Sequence, residues 1–211
     1  MRIVPPTPEG IEAAAKAIRA GEVVAYPTET VYGLAVDPFS EGALHRLFSA
    51  KERPDSNPVL LIVADADQLA KVVSAVSPRA HACAEAFWPG PLSMLFPKSS
   101  GLPNALTAGS SKVCVRQPAC VIARDLCLAF GGPITSSSAN VSGGVPARSP
   151  DDIGLSMVSV CIDGGVLGLS PPSTVFDPDA GRVLRAGAIP ADVLAEFIRI
   201  AGNPESPDGT E

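Results

Sequence analysis

The sequence predicts an α/β fold with a partly parallel sheet. Short apolar segments of strand length recur along the chain, and segments with helical periodicity stand between many of them. Residues 23–26, for example, have the pattern of a short buried strand that follows a helix. With 46% hydrophobic and 18% charged residues, the 211-residue chain can bury a core and has the size of one ordinary domain.

The first helix is predicted from its ends. Thr7 supplies an N-cap hydroxyl, Pro8 suits the first helical position, and Gly21 ends the helix. Apolar periodicity predicts further helices at residues 41–49, 68–76, 78–87, 120–130 and 191–200. Strands are predicted at residues 23–26, 59–63, 92–96, 112–116, 133–136, 158–162, 174–177 and 183–185.

A single domain is expected. We find neither an internal repeat nor a linker that would divide the chain, so residues 1–201 are predicted to fold as one unit. Residues 202–211 offer no apolar side chain to bury, and we expect this tail to be disordered.

Charge and composition argue against several classes of protein. The formal net charge is −6, from 16 Lys and Arg against 22 Asp and Glu, whereas nucleic-acid coat proteins are basic. Aromatic residues make up 5%, which leaves few platforms for stacking bases. No apolar run is long enough to span a bilayer and no signal-peptide segment follows Met1, so the expected location is the cytoplasm.

Familiar catalytic motifs are absent. The sequence has no G-x-x-x-x-G-K-[ST], no G-x-G-x-x-G and no G-x-S-x-G. Its five cysteines form no C-x-x-C pair and it has two histidines, so we predict reduced thiols and no structural zinc site. A Ser-His-Asp triad would need His45 or His81, and both fall in predicted helices, where a solvated histidine is the ordinary interpretation.

Polar loops at the ends of predicted strands remain as candidate sites. In the first, residues 26–34, two Thr hydroxyls flank Glu29 directly after a strand. Such a loop either binds a polar small molecule or is a capped turn, and the residues leave both interpretations open. In the second, residues 51–58, Lys51 and Arg53 either complement the end of a helix or clamp a phosphate.

A cationic strand face and further polar loops extend this set. Lys112, Cys114 and Arg116 share one face of a predicted strand. Because burying two cations is costly, this face should look onto a cleft, unless the strand lies at a solvated sheet edge. Residues 133–144 carry five hydroxyls and an amide, which together could hold an oxyanion. Two shorter polar loops lie at residues 172–175 and 184–187.

The cations indicate the kind of ligand. Together Lys51, Arg53, Arg116 and Arg185 could balance about four negative charges, roughly those of an ATP triphosphate and a carboxylate with Mg²⁺ sharing the load. The residues alone therefore predict an α/β domain that binds an anionic small molecule, with a nucleotide outside the P-loop class as one candidate.

Seven motifs in a set order carry a family resemblance. They are residues 26–34 (YPTETVYGL), 51–54 (KERP), 88–92 (WPGPL), 113–118 (VCVRQP), 138–140 (SAN), 173–175 (STV) and 184–187 (LRAG). The ordered set resembles the YrdC/TsaC family of L-threonylcarbamoyl-AMP synthases over about residues 8–200, in its short single-domain form. Each motif alone is weak, whereas the ordered set is specific.

The resemblance implies a fold, a reaction and partners. The fold would be a twisted, mixed open sheet with flanking helices around a concave, positively charged cavity. The enzyme, a nucleotidyltransferase, would combine L-threonine, bicarbonate and Mg²⁺-bound ATP into threonylcarbamoyl-AMP and pyrophosphate. A separate transferase complex would use this product for the t6A modification of tRNA. The enzyme itself would make at most a weak contact with tRNA. No tightly bound cofactor, metal ligand from the protein or membrane partner is implied.

The resemblance also implies roles for individual residues. The threonine-binding positions correspond to Thr30, Arg116, Ser136 and Ser173. The ATP-binding positions correspond to Lys51, Arg53, Asn57, Ser138, Asn140 and Arg185. Catalysis would rest on Lys51, Arg53 and Arg116 through positioning and charge neutralisation, without a protein nucleophile. We therefore expect Arg116→Ala or Lys51→Ala to abolish turnover in a folded protein.

The sequence departs from the family pattern at several positions. Ile62 stands where several members have a His, and Lys112 replaces a small hydroxyl residue, so both bear on substrate selectivity. Residues 142–149 (SGGVPARS) differ from the usual stretch containing Ser-Pro-Thr. The resemblance therefore implies that one ATP contact is lost there or moved to Ala147 or Ser149.

Two alternatives to the synthase follow from the same residues. A non-catalytic RNA-binding module could use the same cavity, and it would show salt-dependent RNA affinity and tolerate Thr30→Ala. A carbamoyl-adenylate domain of hydrogenase-maturation carbamoyltransferases would follow acylphosphatase and zinc-finger segments. Met1 leaves no room for such segments, so this second alternative is not expected.

Overall fold

A computed structural model of the protein describes residues 1–52 and 57–201, with Ala201 given by its backbone only. Two predictions from the sequence, the role of Arg53 and the disorder of residues 202–211, lie outside the described residues.

Four helices of the described chain begin after a side chain that caps their first turn, and Thr7 is the cap predicted from the sequence. Thr7, Ser40, Asp65 and Ser77 each accept a hydrogen bond from the backbone N–H three residues further along, which satisfies one otherwise unpaired donor of the first turn. The helices are α1 (Pro8–Arg19), α2 (Glu41–Ala50), α3 (Ala66–Val72), α4 (Pro78–Phe87), α5 (Asn104–Thr107), α6 (Val121–Phe130) and α7 (Ala191–Ala201), and a 3₁₀ turn spans Pro150–Asp152.

The strands of the described residues form one ten-stranded sheet. They are β1 (Arg2–Val4), β2 (Val23–Tyr26), β3 (Gly33–Ala35), β4 (Leu60–Ile62), β5 (Leu92–Pro97), β6 (Lys112–Arg116), β7 (Ile134–Ser138), β8 (Val158–Ile162), β9 (Thr174–Asp177) and β10 (Arg182–Arg185). Their order is β1-β8-β2-β3-β7-β4-β6-β5-β9-β10. The pairs β1–β8, β2–β8, β4–β6 and β5–β9 are parallel and the others antiparallel, so the predicted α/β fold with a mixed open sheet is confirmed.

Short elements and one helix end differ from the prediction. The strands β1 and β3 and the helix α5 are three or four residues long, too short to show a period in the sequence. The helix predicted over 68–76 ends at Val72, because Val73 is extended and forms a bridge with Lys98 on the chain that leaves β5. The predicted strand 133–136 runs on to Ser138, so β7 contains four of the five hydroxyl residues counted in residues 133–144.

The core lies on both faces of the sheet. Along β2, Val23 and Ala25 join one apolar cluster, whereas Val24 and Tyr26 join the other, as the two-residue period of a strand requires. The first cluster packs against α2, α4 and α7, and the second against α1 and α6. The face covered by α1 and α6 also carries the cavity described next.

Candidate active site

A cavity of about 660 Å³ opens on the sheet face that α1 and α6 cover only in part. Ile62 of β4 and Ile134 of β7 pair directly and belong to the core beneath these helices. One repeat further along the same face, the paired residues Leu60 and Ser136 line the cavity. The strands thus pass from core to cavity within two residues.

The cavity collects most of the predicted site residues. Those that line it are Thr30, Arg116, Ser136, Ser138, Ser173 and Arg185. Lys51, Asn57 and Asn140 are described but do not line it, and Arg53 lies outside the described residues.

Strand β6 presents its cationic face to the cavity, as its alternation predicts. Lys112, Cys114 and Arg116 all line the cavity, whereas Val115 belongs to the core and Val113 belongs to the core and touches the cavity as well. The alternative of a solvated edge strand is wrong, because β6 pairs with β4 on one side and with β5 on the other.

Arg116 is the most buried of the cavity cations, with 4% of its surface exposed. Its Nε donates a hydrogen bond of 2.9 Å to the Gly90 carbonyl, and its guanidinium forms an ion pair with Glu29. Burial alone would raise the pKa of the Glu29 carboxyl, but the Arg116 charge and the Ala119 N–H hold that pKa below its ordinary value. Glu29 is therefore a carboxylate at neutral pH and holds Arg116 in place.

The loop between β2 and β3 is both a capped turn and part of the cavity wall. Thr28 Oγ1 accepts hydrogen bonds from the N–H groups of Thr30 (3.1 Å) and Val31 (3.2 Å). The hydroxyls of Thr28 and Thr30 lie 3.0 Å apart, and both residues line the cavity. The two interpretations left open by the sequence are therefore compatible.

Ser173 and Arg185 form a second polar group in the cavity. Arg185 donates to the Ser173 carbonyl at 3.0 Å and to its hydroxyl at 3.1 Å. The Ser173 hydroxyl also lies 2.8 Å from that of Ser93 on β5. Ser173 is thus held from two sides, and this buried residue lines a space that a ligand can enter.

Lys51 does not line the cavity but contacts the chain that does, at Ser138. It is the C-cap residue of α2, is 2% exposed, and donates through Nζ to the carbonyls of Ser138 and Asn140, the latter at 2.6 Å. The Asn140 amide in turn donates to Val141 (2.7 Å) and Gly144 (2.9 Å). Lys51 and Asn140 therefore shape the chain that follows β7, and Asn57 lies exposed at the surface.

The structure adds residues that the sequence did not single out. Asp177 on β9 forms an ion pair of 2.5 Å with Lys112, and Arg148 lines the cavity. Arg148 stands in a stretch of Gly, Pro and Ser residues that has no period, and Asp177 ends an ordinary apolar strand, so neither carried a local signal. Neither Ala147 nor Ser149, the positions to which an ATP contact was expected to move, lines the cavity.

Of the four cations in the described cavity wall, two form ion pairs with carboxylates. The described lining contains Lys112, Arg116, Arg148 and Arg185 and no carboxylate. Lys112 and Arg116 pair with Asp177 and Glu29, which lie outside the lining. The net positive charge of the cavity stays a prediction.

Other chemistry has little support in the described residues. Burial raises the pKa of the Cys114 thiol to about 12, so this cavity residue is a neutral thiol at neutral pH. In the described parts of the chain no three His, Cys, Asp or Glu side chains converge on a metal position. Over the same residues, no helix has the length and apolar character needed to cross a membrane.

Comparison with known proteins places the chain in a family. A model of the family described as telomere recombination, comprising Sua5, YciO and YrdC, matches residues 16–187. A threonylcarbamoyl-AMP synthase of Methylococcus capsulatus is 39% identical over 175 residues, which cover 82% of this chain and 94% of that protein. The chain belongs to the Sua5/YciO/YrdC family.

Longer relatives share the same fold. A threonylcarbamoyl-AMP synthase of Pyrococcus abyssi is 37% identical over 193 residues, covering 89% of this chain and 57% of that protein. The crystal structure of P. abyssi Sua5 complexed with L-threonine superposes with a TM-score of 0.89 at 35% identity, covering 94% of this chain and 61% of that chain. The chain thus spans somewhat more than half of the Pyrococcus protein and nearly all of the Methylococcus one.

Proposed function

We propose that the protein is an L-threonylcarbamoyl-AMP synthase, which forms threonylcarbamoyl-AMP and pyrophosphate from L-threonine, bicarbonate and ATP for the t6A modification of tRNA. The observation that carries the proposal is the convergence of six predicted ligand-binding residues on one cavity. Relatives that carry the synthase name are 37–39% identical to this chain, which adds support from a separate source.

The amino-acid end of the cavity is proposed around Arg116. Its guanidinium can bind the threonine carboxylate through paired hydrogen bonds, with Glu29 and Gly90 keeping it oriented. Thr30, Ser136 and Ser173 offer hydroxyls to the threonine side chain and amine. A site that hydrogen-bonds a substrate hydroxyl discriminates strongly against analogues that lack it, which favours threonine over valine.

The nucleotide end is proposed around Arg185 and Ser138, which line the cavity, with Lys51 holding Ser138 in place. Arg53, Asn57 and Asn140 complete the proposed ATP-binding set. ATP would enter as its Mg²⁺ complex and serve as a substrate, with no tightly bound cofactor.

The reaction needs positioning and charge neutralisation more than a protein nucleophile. Threonine and bicarbonate join through a C–N bond with loss of water, and a carbamate oxygen then attacks the α-phosphorus of ATP and displaces pyrophosphate. Lys51, Arg53 and Arg116 are the residues proposed for catalysis. Arg53 and Arg116 would neutralise or orient the anions that must meet, and Lys51 would act as a positioning residue through the Ser138 and Asn140 carbonyls that it holds. A separate transferase complex in the cytoplasm would take the adenylate to tRNA.

The decisive experiment is pyrophosphate release from ATP. We expect release to require both L-threonine and bicarbonate, with serine and valine as controls, and to yield an adenylate of the mass of threonylcarbamoyl-AMP. Release that is independent of the amino acid would show a different adenylating reaction. Measurable RNA binding without any release would favour the non-catalytic module, which the net charge of −6 and the names of the relatives make the weaker candidate.

The role of Arg116 is tested in the same assay. Arg116→Ala removes the proposed carboxylate-binding group, and we expect pyrophosphate release at saturating ATP to fall at least about 100-fold because a charge-assisted contact is lost in a buried site. Arg79→Ala, at an exposed arginine of α4, is the matched control and should keep the wild-type rate. A wild-type rate for Arg116→Ala would contradict the assignment.

A further inference from the structure

Arg148 and Arg185 flank one segment of the cavity wall, residues 168–173. The Arg148 guanidinium donates to the carbonyls of Gly168 and Ser170, the latter at 3.4 Å, and Arg185 donates to the Ser173 carbonyl at 3.0 Å. Ser170 and Ser173 are three residues apart, so the chain between these two carbonyls spans at most about 11 Å. Since both arginines also line the cavity, they hold the two ends of one stretch of its wall.

These two arginines differ from the other cavity cations in their partners. Lys112 and Arg116 form ion pairs with carboxylates, whereas among the described residues Arg148 and Arg185 form none. The hydrogen bonds of Arg148 go to neutral carbonyls and engage two of its five N–H donors. Its charge and its remaining donors are therefore available to an anionic ligand.

The backbone around Arg148 is held on both sides. The Asp152 carboxylate accepts hydrogen bonds from the N–H groups of Arg148 (3.0 Å) and Ser149 (2.9 Å), and the Arg148 carbonyl accepts one from Leu167 (2.8 Å). Asp152 thus engages the backbone and forms no ion pair with the Arg148 guanidinium. A guanidinium held in this way loses little entropy when it binds a ligand.

We propose that Arg148 is a further phosphate-binding residue, which together with Arg185 binds the polyphosphate of the nucleotide. The inference rests on the proposed function, since it assigns Arg148 to the ATP of that reaction. Planar guanidinium groups suit phosphate oxygens, and two of them on one segment can hold both the triphosphate and the pyrophosphate formed from it.

Calorimetric binding of ATP, tripolyphosphate and adenosine tests the proposal in the wild-type protein, R148Q, R148K and the surface control R79Q. We expect R148Q to weaken ATP and tripolyphosphate binding about 10- to 100-fold, as loss of a charge-assisted contact does. Adenosine binding and the KM for L-threonine should stay within about twofold of wild type. R148K should recover part of the affinity, and R79Q should match the wild type.

Two results would overturn the proposal. R148Q with wild-type affinity for ATP would show that Arg148 does not touch the phosphates. R148Q that loses adenosine and threonine affinity as strongly as ATP affinity would show that Arg148 only holds residues 168–170 in place.

Failure of the proposed function would be seen separately. If ATP and tripolyphosphate bind in an Arg148-dependent manner but no threonine-dependent pyrophosphate appears, the phosphate site stands and the synthase does not. A wild-type protein that binds neither ATP nor tripolyphosphate would refute both.

Discussion

Lys51 shows how a residue's surroundings change what its mutation should do. The sequence predicts that its loss abolishes turnover in a folded protein. The structure buries Lys51 and directs its ammonium at two backbone carbonyls of the chain that follows β7. Removing it leaves those carbonyls without this donor in a buried place, which adds a stability cost to any loss of activity.

We therefore expect Lys51→Met to lower the free energy of unfolding by about 2–3 kcal/mol as well as slowing pyrophosphate release. Urea denaturation measures the first effect. Lys71→Met is the matched control, because Lys71 also donates to a carbonyl, that of Gly131 at 3.1 Å, but from an exposed position. Its change should stay within about 0.5 kcal/mol. Equal losses in the two variants would contradict the structural role of Lys51.

Glu29 should contribute a pH-dependent part of the stability. Burial raises its pKa, but Arg116 and the Ala119 N–H lower it more, so the folded-state pKa lies below the ordinary value of 4.5. A carboxyl with a lowered folded-state pKa stabilises the fold above its unfolded pKa, and this stabilisation disappears as the pH falls through the folded-state pKa.

Glu29→Gln removes this titration. We expect its free energy of unfolding to fall less steeply than that of the wild type between about pH 5 and pH 3. Chemical denaturation at a series of pH values provides the comparison. Glu22→Gln, at an exposed carboxylate with no ion pair among the described residues, should follow the wild-type curve. Parallel curves for Glu29→Gln and wild type would count against the Glu29–Arg116 pair.

Among the elements, β6 was the best predicted and the region around β3 the least. Five residues of alternating character predicted both the bounds of β6 and its cationic face, because a strand period needs no distant partner to be seen. Gly33 and Leu34 fall in the predicted polar loop 26–34, yet with Ala35 they form the buried strand β3, because β2 and β7 pair with it on either side. Its strand conformation therefore depends on its neighbours in the sheet and not on a pattern in its own residues.

The connection after β10 depends on a close backbone approach at Gly187. A Cβ on Gly187 would lie 2.3 Å from the Pro172 carbonyl oxygen and 2.5 Å from the Ser173 carbonyl carbon, closer than atoms can pack. Any side chain there must push the connection away from Ser173, and Arg185 ends the strand two residues earlier.

We expect Gly187→Ala to raise the KM values for ATP and L-threonine at least about tenfold, since displacements of about 1 Å in a site are costly. Steady-state kinetics of pyrophosphate release gives both constants. Gly154→Ala is the control, because its Cβ would meet nothing within 4 Å. Unchanged constants in Gly187→Ala would mean that the connection yields without disturbing the site.

For the molecule as a whole, the cavity spans strands from most of the sheet, so ligands should stabilise the entire fold. A ligand that binds only the folded state at 100 times its Kd adds about 2.7 kcal/mol. For a chain of this size that corresponds to a rise in Tm of about 5–11 °C.

We expect L-threonine with ATP and bicarbonate to produce a shift of this size in a thermal melt. Serine lacks the methyl group and, relative to ATP and bicarbonate alone, should add a smaller shift than threonine, and valine lacks the hydroxyl and should add almost none. Equal shifts with all three amino acids would show that the hydroxyls of Thr30, Ser136 and Ser173 do not recognise the side chain of the bound amino acid.

The sequence by itself determined the fold class, most helix and strand positions, and the ordered set of motifs that indicates the family. These features depend on caps, on periods of two and 3.6 residues, and on residue types, all of which are local. The order of the motifs along the chain was enough to name six of the residues that line the cavity, which are most of the site residues predicted from it.

Only the tertiary structure decided which charges meet. Lys51 binds the Ser138 carbonyl 87 residues away, and Lys112 pairs with Asp177 65 residues away. Such partners depend on the order of strands in the sheet and on how the connecting loops cross it, and neither leaves a local pattern in the sequence. For the same reason Arg148, in a stretch without a period, became a candidate ligand-binding residue only when the fold brought it to the cavity beside the segment that Arg185 holds.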